Sequence, residues 1–152
     1  YTMTWASTDA AGNTGTATQT VTVVDTTAPD ISNACLTDKL WPPNHKLVLV
    51  STGSVSDIAD PNATFSVSVT SNQPINGTGD GNTDPDWVVS DNATSYEVSL
   101  RAERAGNLGQ RDYGIVITAT DASGNESTAA CSASVPHDQG NNTSPATKKG
   151  KK

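Results

Sequence analysis

Tyr1-Thr-Met-Thr-Trp-Ala-Ser-Thr-Asp-Ala-Ala-Gly-Asn13 is followed, 112 positions later, by Tyr113-Gly-Ile-Val-Ile-Thr-Ala-Thr-Asp-Ala-Ser-Gly-Asn125, which has the same design. In both stretches apolar side chains alternate with others up to an Asp-x-x-Gly-Asn sequence. A period of two indicates a β-strand, and Gly and Asn tolerate the positive φ that a tight hairpin turn requires. Thr16-Ala17 and Thr128-Ala129 continue the match. Each stretch is therefore predicted to form a β-hairpin.

The spacing of the two hairpins predicts how the chain is divided. A period of this size corresponds to one whole domain rather than to a short solenoid repeat. Residues 1–24 are accordingly expected to be the last hairpin of an upstream domain, and residues 30–137 a complete domain of the same kind. Residues 25–29 end in a proline and are predicted to form a stiff joint. Residues 138–152, a lysine-ended tail without large apolar side chains, are expected to be disordered.

Strand-like segments fill the region between the hairpins. Apolar residues alternate with polar ones in several short runs, and Gly, Pro, Asn and Asp punctuate them. The runs are marked by Phe65, Val67 and Val69; by Tyr96, Val98 and Leu100; by Tyr113, Ile115 and Ile117; and by Cys131, Ala133 and Val135. The run Leu47–Val50 is apolar throughout and is predicted to be buried on both faces. These features predict an all-β fold, an immunoglobulin-like Greek-key β-sandwich of about seven strands.

The charge of the chain excludes some classes of function. Sixteen Asp and Glu oppose nine Lys and Arg, and four of those nine are lysines within the last five residues. An acidic body argues against nucleic-acid binding, which requires a basic surface. No apolar run approaches the roughly 20 residues of a transmembrane helix.

Two widely spaced cysteines, Cys35 and Cys131, are predicted to form one disulfide between the first and last strands of the domain. A disulfide indicates an extracellular or cell-surface location for a secreted protein. Two buried free thiols are the alternative.

The hairpin turn and the joint Asp25-Thr-Thr-Ala-Pro29 resemble the ends of bacterial immunoglobulin-like and hyalin-repeat (HYR-type) domains. Such domains occur in tandem on secreted and surface proteins, so the resemblance implies neighbouring repeats in the same chain, and possible partners on a cell surface or among polysaccharides. The complete domain looks like a C-terminal relative of these repeats, on the basis of Leu40-Trp-Pro-Pro-Asn-His-Lys46, Gly79-Asp-Gly-Asn-Thr-Asp-Pro-Asp-Trp87 and Arg101-Ala-Glu-Arg104.

The same region is similar to a cadherin repeat, in which carboxylates share calcium between domains. By position, the resemblance assigns this role to Glu103, Asp121 and Asp25. The joint here, Asp25-Thr-Thr-Ala-Pro29, contains one acidic residue and lacks the full cadherin joint sequence Asp-x-Asn-Asp-x-Pro. The resemblance therefore implies a single calcium ion at the joint.

A second calcium prediction rests on the residues themselves. Residues 80–86 are predicted to form a loop. Every second residue in it has an oxygen-bearing side chain, and together these are able to surround one hard cation: Asp80, Asn82, Asp84 and Asp86. The alternative is a polar turn without metal. For Asp121 and its counterpart Asp9, the alternative is an Asx-turn. For Glu103, the nearby Arg101, Arg104 and Arg111 favour a set of surface ion pairs.

No catalytic constellation is recognisable in the sequence. His45 and His137 are isolated, and there is no Gly-x-Ser-x-Gly motif. The sequence therefore predicts a protein that is not an enzyme: an extracellular spacer, stalk or adhesion module, with calcium as a possible stabilising ion. The alternative is a carbohydrate-binding accessory module of a secreted hydrolase, which would bind its ligand through Trp41 or Trp87.

Overall fold

A computed structural model describes residues 1–138 of the chain. Those residues are arranged as nine strands with connecting loops and no helix. The strands are β1 Thr2–Thr8, β2 Thr14–Thr20, β3 Asp30–Cys35, β4 Leu47–Ser56, β5 Thr64–Ser71, β6 Trp87–Asp91, β7 Ser95–Arg101, β8 Arg111–Thr120 and β9 Glu126–Val135. Accordingly, no helix in this part of the chain is long and apolar enough to cross a membrane. The tail was predicted to be disordered, and from position 139 onward it lies outside the described part of the chain.

Two antiparallel sheets form the body of the protein. One has the strand order β3-β4-β7-β6 and the other the order β5-β8-β9. The chain crosses from one sheet to the other after β4, after β5 and after β7, as in a Greek-key sandwich. The all-β, immunoglobulin-like fold predicted from the sequence is therefore confirmed.

The inward faces of the two sheets supply the core. Its members are Val50, Tyr96, Val98 and Leu100 from one sheet, Tyr113, Ile115, Ile117, Cys131, Ala133 and Val135 from the other, and Leu40 and Ala102 outside the strands. The alternation in the sequence thus identifies the buried residues of β7, β8 and β9. The prediction that Leu47–Val50 is buried on both faces was wrong, because the outer face of this sheet is uncovered and Leu47 and Leu49 point toward solvent.

A disulfide and a short backbone pairing close one side of the sandwich. Cys35 at the end of β3 is bonded to Cys131 in β9. Just beyond Cys35, Lys39 forms an isolated parallel bridge with Ser134 of β9. The predicted disulfide is confirmed, and it joins the edge strands of the two sheets. On the loop-entropy account, closing a loop of this length stabilises the fold by about 4.7 kcal/mol.

The strands β1 and β2 form a separate two-stranded sheet in full register, with Thr2 opposite Thr20 and Thr8 opposite Thr14. Every residue of the two strands is exposed. The division of the chain into the ranges predicted above stays a prediction.

Candidate functional site

Two acidic side chains turn inward from the long loop between β5 and β6. Asp80 and Asp86 are almost completely buried. Gly79 and Gly81 in this loop have positive φ angles of 94° and 106°. A side chain at Gly81 would also collide with the imidazole ring of His45. The loop therefore depends on glycine to place its acidic residues beneath His45.

Two further charged side chains meet this loop. Glu103 is the second residue after β7, and Arg111 begins β8; both are 0% exposed. Asp80, Asp86 and Glu103 each place a carboxylate oxygen within 4.8 Å of the others. The Arg111 guanidinium lies among them: Nη1 is 3.8 Å from Asp80 Oδ2 and 3.7 Å from Glu103 Oε1, and Nη2 contacts Asp86 Oδ2. We call these four residues the buried charge cluster.

Hydrogen bonds fix some of the carboxylate oxygens of the cluster. The backbone amides of Asn82 and Gly77 donate to Asp80 Oδ1 and Oδ2, at 3.1 Å and 2.8 Å. The backbone amide of Asn76 donates to Asp86 Oδ2 at 3.3 Å. Asp80 thus organises its own loop through both oxygens, and Asp86 is held through one.

Glu103 resembles Asp86 in that only one of its two carboxylate oxygens has a hydrogen-bond partner. Its Oε2 lies 3.1 Å from Nδ1 of His45, the half-exposed residue at the rim of the cluster. By contrast, Glu103 Oε1 and Asp86 Oδ1 are buried without a hydrogen-bond partner among residues 1–138. Buried polar atoms of this kind are uncommon, and a water molecule or an ion satisfies them where the protein offers no partner. Each of these two carboxylates therefore presents one fixed oxygen and one open oxygen.

The charge of the cluster is not balanced. Three carboxylates face one guanidinium, which leaves two negative charges when all three acids are ionised. Burial raises the pKa of Glu103, and the neighbouring Asp86 and Asp80 raise it further, although the hydrogen bond with His45 opposes the shift. The cluster therefore favours any species that brings positive charge, whether a proton or a metal ion.

The remaining members of the predicted calcium loop lie apart from the cluster. Asn82 and Asp84 are exposed, and Asp84 Oδ1 accepts a hydrogen bond of 3.1 Å from the side-chain amide of Asn76. The four alternating side chains of the loop are consequently not brought together. The structure places the first and last of them with Glu103, which the cadherin resemblance had assigned to the joint.

Asp121 and Asp25 lie at the joint. Asp121 accepts hydrogen bonds from the backbone amide and the side-chain amide of Asn125, at 2.8 Å and 2.7 Å, and Asp25 Oδ1 accepts one from the Thr27 amide at 3.0 Å. Neither belongs to the cluster, which is the one group of three or more possible metal ligands found in the described part of the chain. The shared site of Glu103, Asp121 and Asp25 is therefore not assembled within this domain, and both aspartates hold turns.

Glu103 pairs with Arg111, one of the predicted arginines, but the predicted location of these ion pairs at the surface was wrong. Glu103 and Arg111 are wholly buried, and Arg101 donates to the carbonyl oxygens of Pro85 and His45 at 2.6 Å and 2.7 Å. One signal for this was in the sequence: Arg111 has the same parity along β8 as the core residue Tyr113, so it points inward.

The two tryptophans proposed for carbohydrate binding have different surroundings. Trp87 is half-buried, and its ring packs edge-on against Tyr113 with a centroid distance of 6.5 Å. Trp41 is 39% exposed. Trp87 therefore packs against the core with one edge of its ring, and a role of either tryptophan in carbohydrate binding stays a prediction.

Comparison with known proteins gives no family assignment. No family model matches the chain, and no curated protein matches it. Among solved structures, the chain is similar to PcdhgB3 EC1-4 in 50 mM HEPES, with a TM-score of 0.45 and 12% sequence identity. The match covers 88% of this chain and 30% of that chain, so the sequence spans less than a third of that protein fragment. The HYR-type and bacterial resemblances stay predictions.

Proposed function

We propose that the chain is part of an extracellular tandem-repeat protein in which the complete domain is a non-catalytic spacer, stalk or adhesion module. The observation that carries this proposal is the contrast between the two hairpins. Ile115 and Ile117 in β8 are 0% exposed, whereas their counterparts Met3 and Trp5 in β1 are 44% and 62% exposed. Exposed apolar faces of this kind mark an interaction surface. The face of β1 therefore suits the inner face of a second sandwich, formed by chain that precedes it.

The contacts of the joint support a repeating arrangement. The Asn125 side chain donates to the carbonyl oxygens of Asp25 and Thr27, at 3.2 Å and 3.4 Å. The hydroxyl of Ser127 donates to the Pro29 carbonyl at 2.6 Å. Through these bonds the turn between β8 and β9 holds the joint that leads into its own domain. Neighbouring repeats in the same chain are thus the first partners we propose.

The turn between β1 and β2 has the same internal hydrogen bond as the turn between β8 and β9. Asn13 occupies the position of Asn125, and its side-chain amide donates to Asp9 as Asn125 does to Asp121. Asn125 also binds the joint, and Asn13 has the geometry to bind an earlier one. The repeat would then be periodic, with each closing turn holding the segment that enters its domain.

Different observations support the proposed extracellular location and the proposed non-enzymatic role. The Cys35–Cys131 disulfide suits an oxidising compartment. The carboxylates that the fold gathers are buried inside the domain, where a small ion has access to them more readily than an organic substrate. A cell-surface or polysaccharide ligand would bind elsewhere on the module.

Calcium is the stabilising ion we propose, and the buried charge cluster is its site. Hard cations prefer oxygen ligands, and the open oxygens of Asp86 and Glu103 are available for one. A divalent cation would also cancel the two uncompensated negative charges. The donor set therefore fits calcium, with Asp80 completing it from the same loop.

Thermal unfolding tests the calcium proposal. Extracellular calcium modules bind with dissociation constants of about 0.1–1 mM, so 10 mM calcium is expected to stabilise the domain by about 1.5–3 kcal/mol relative to excess chelator. The midpoint should rise by about 5 °C or more.

Two variants make this experiment specific. Glu103→Gln removes the open carboxylate and should abolish the calcium-dependent shift, whereas Asp84→Asn, in the exposed part of the same loop, should keep it. Equal midpoints with calcium and with chelator in the unmodified protein would refute the calcium site and leave the tandem-repeat proposal untouched.

A further inference from the structure

We infer that Arg111 competes with the cation for the buried charge cluster and thereby holds calcium affinity low. This inference rests on the calcium site proposed above. It concerns Arg111, the one buried cationic side chain among residues 1–138 that contacts all three carboxylate residues of the cluster.

The position of the guanidinium leads to competition rather than to cooperation. Its Nη1 lies 3.7 Å from Glu103 Oε1, one of the two open oxygens, and Nη1 itself lacks a hydrogen-bond partner within the described residues. Its Nη2 binds Asp86 Oδ2, whose companion Oδ1 is the other open oxygen. An ion bound by these carboxylates would therefore lie beside a fixed positive charge, and at low dielectric that repulsion is strong.

Arg111 is held in the cluster by contacts that do not involve the carboxylates. Its Nε donates to Ser71 Oγ at 2.9 Å, and its Cζ lies 4.8 Å from the centre of the Tyr113 ring. Nη2 is also 3.4 Å from the carbonyl oxygen of Pro74. These contacts keep the guanidinium in place when an ion binds, so the ion cannot simply displace it. They also provide it with partners if the ion withdraws the carboxylates.

Two sources of positive charge are available to the buried charge cluster: Arg111 and a bound cation. With Arg111 alone, the cluster is an internal ion-pair network that folds without metal, although two negative charges remain. With a divalent cation added, the negative charge is compensated, but Arg111 weakens the binding. Replacing Arg111 by a neutral residue raises the charge left for the cation from two to three, so the cation should then bind more tightly.

Terbium luminescence with calcium competition tests this inference. Tb³⁺ substitutes for calcium at oxygen sites, and Trp87, which directly follows Asp86, together with Tyr113 provides nearby aromatic rings to sensitise it. We compare the unmodified chain with Arg111→Met, which keeps an apolar stem of similar length against Tyr113. The dissociation constant for calcium, measured by displacement of Tb³⁺, is expected to fall at least tenfold in Arg111→Met.

Arg111→Lys serves as the second variant, because it keeps the charge and the fold more securely. A lysine ammonium lacks the fork that reaches Ser71 and Asp86 together, so it competes less well. We expect its calcium affinity to lie between those of the unmodified chain and Arg111→Met. Affinity that falls in both variants would overturn the inference, because Arg111 would then be positioning the carboxylates for the ion.

The outcomes separate this inference from the calcium proposal. Binding in Arg111→Met without binding in the unmodified chain supports competition and refutes calcium as the native ion. Equal affinity in all three proteins refutes competition and leaves the calcium proposal standing. Absence of binding in all three, with the fold verified by circular dichroism, refutes both.

Discussion

The hairpins β1–β2 and β8–β9 have the same sequence design and opposite surroundings. Both alternate apolar and polar residues, and both turn through an Asp-x-x-Gly-Asn sequence with glycine at a φ of 87°. The inner face of β8 is buried against the other sheet, whereas every residue of β1 is exposed. An alternating pattern therefore defines which face of a strand is apolar, and a second sheet decides whether that face is covered.

The largest expected difference in the free energy of unfolding is between variants at matched apolar positions of the two hairpins, Ile115 in β8 and Met3 in β1. Ile115→Ala leaves a cavity in the sandwich and should lower the free energy of unfolding by about 2–5 kcal/mol. Met3→Ala, the matched change 112 positions earlier, removes only exposed contacts and should change it by less than about 0.5 kcal/mol. Urea denaturation followed by circular dichroism measures both. Similar losses in the two variants would show that β1 contributes to the same folded unit.

A smaller difference is expected between the two turns. Asn125→Ala removes hydrogen bonds to the joint as well as the one to Asp121, and should cost about 1–2 kcal/mol. Asn13→Ala removes the bond to Asp9 alone, in a hairpin outside the sandwich, and should leave domain stability unchanged. The same denaturation experiment applies. If the Asn125 variant unfolds like the unmodified chain, the joint is not held by this turn.

The smallest expected effect is on how the stability of the domain depends on pH, through the carboxylate of Asp121. Burial acts to raise the pKa of Asp121, but hydrogen bonds from Asn125, Ser123 and Gly124 outweigh it and leave the pKa below its ordinary value of 3.8. A lowered pKa in the folded state means that ionised Asp121 stabilises the domain above about pH 4. That contribution is lost as the pH falls through the folded-state pKa.

Matched variants isolate this contribution. Asp121→Asn should make the domain lose stability less steeply between pH 5 and about pH 2, as measured by thermal unfolding. The pKa of Asp9 is also lowered, first by the side-chain hydrogen bond from Asn13, but only the exposed hairpin depends on it. Asp9→Asn should therefore leave the acid dependence of the domain unaltered. A change in the Asp9 variant as large as that in the Asp121 variant would remove the distinction between the two turns.

Local patterns in the sequence were sufficient for the fold but not for the site. Alternation in β7, β8 and β9 identifies the core, and the two cysteines identify the disulfide, because each depends on neighbouring residues or on a unique pair. The charge cluster joins Asp86 from the loop before β6, Glu103 from the segment after β7 and Arg111 from the start of β8. Such distant residues meet only through the packing of the sheets.

The calcium loop shows the same limit on a smaller scale. Asp80 and Asp86 turn inward while Asn82 and Asp84 between them remain exposed. Spacing alone treats the four side chains as equivalent. The backbone distinguishes them, since Gly81 and Asn82 both adopt positive φ and redirect the chain at that point.

Amide hydrogen exchange tests most directly whether β1–β2 belongs to a second sandwich. In the 152-residue chain, the amides of β8 and β9 should exchange slowly, while those of Thr2–Thr8 and Thr14–Thr20 should exchange rapidly because nothing covers them. If further chain before Tyr1 completes a second sandwich, as proposed, protection of β1–β2 in that longer chain should rise to the level of β8–β9. Slow exchange of β1–β2 in the 152-residue chain, or rapid exchange in the longer one, would contradict the account.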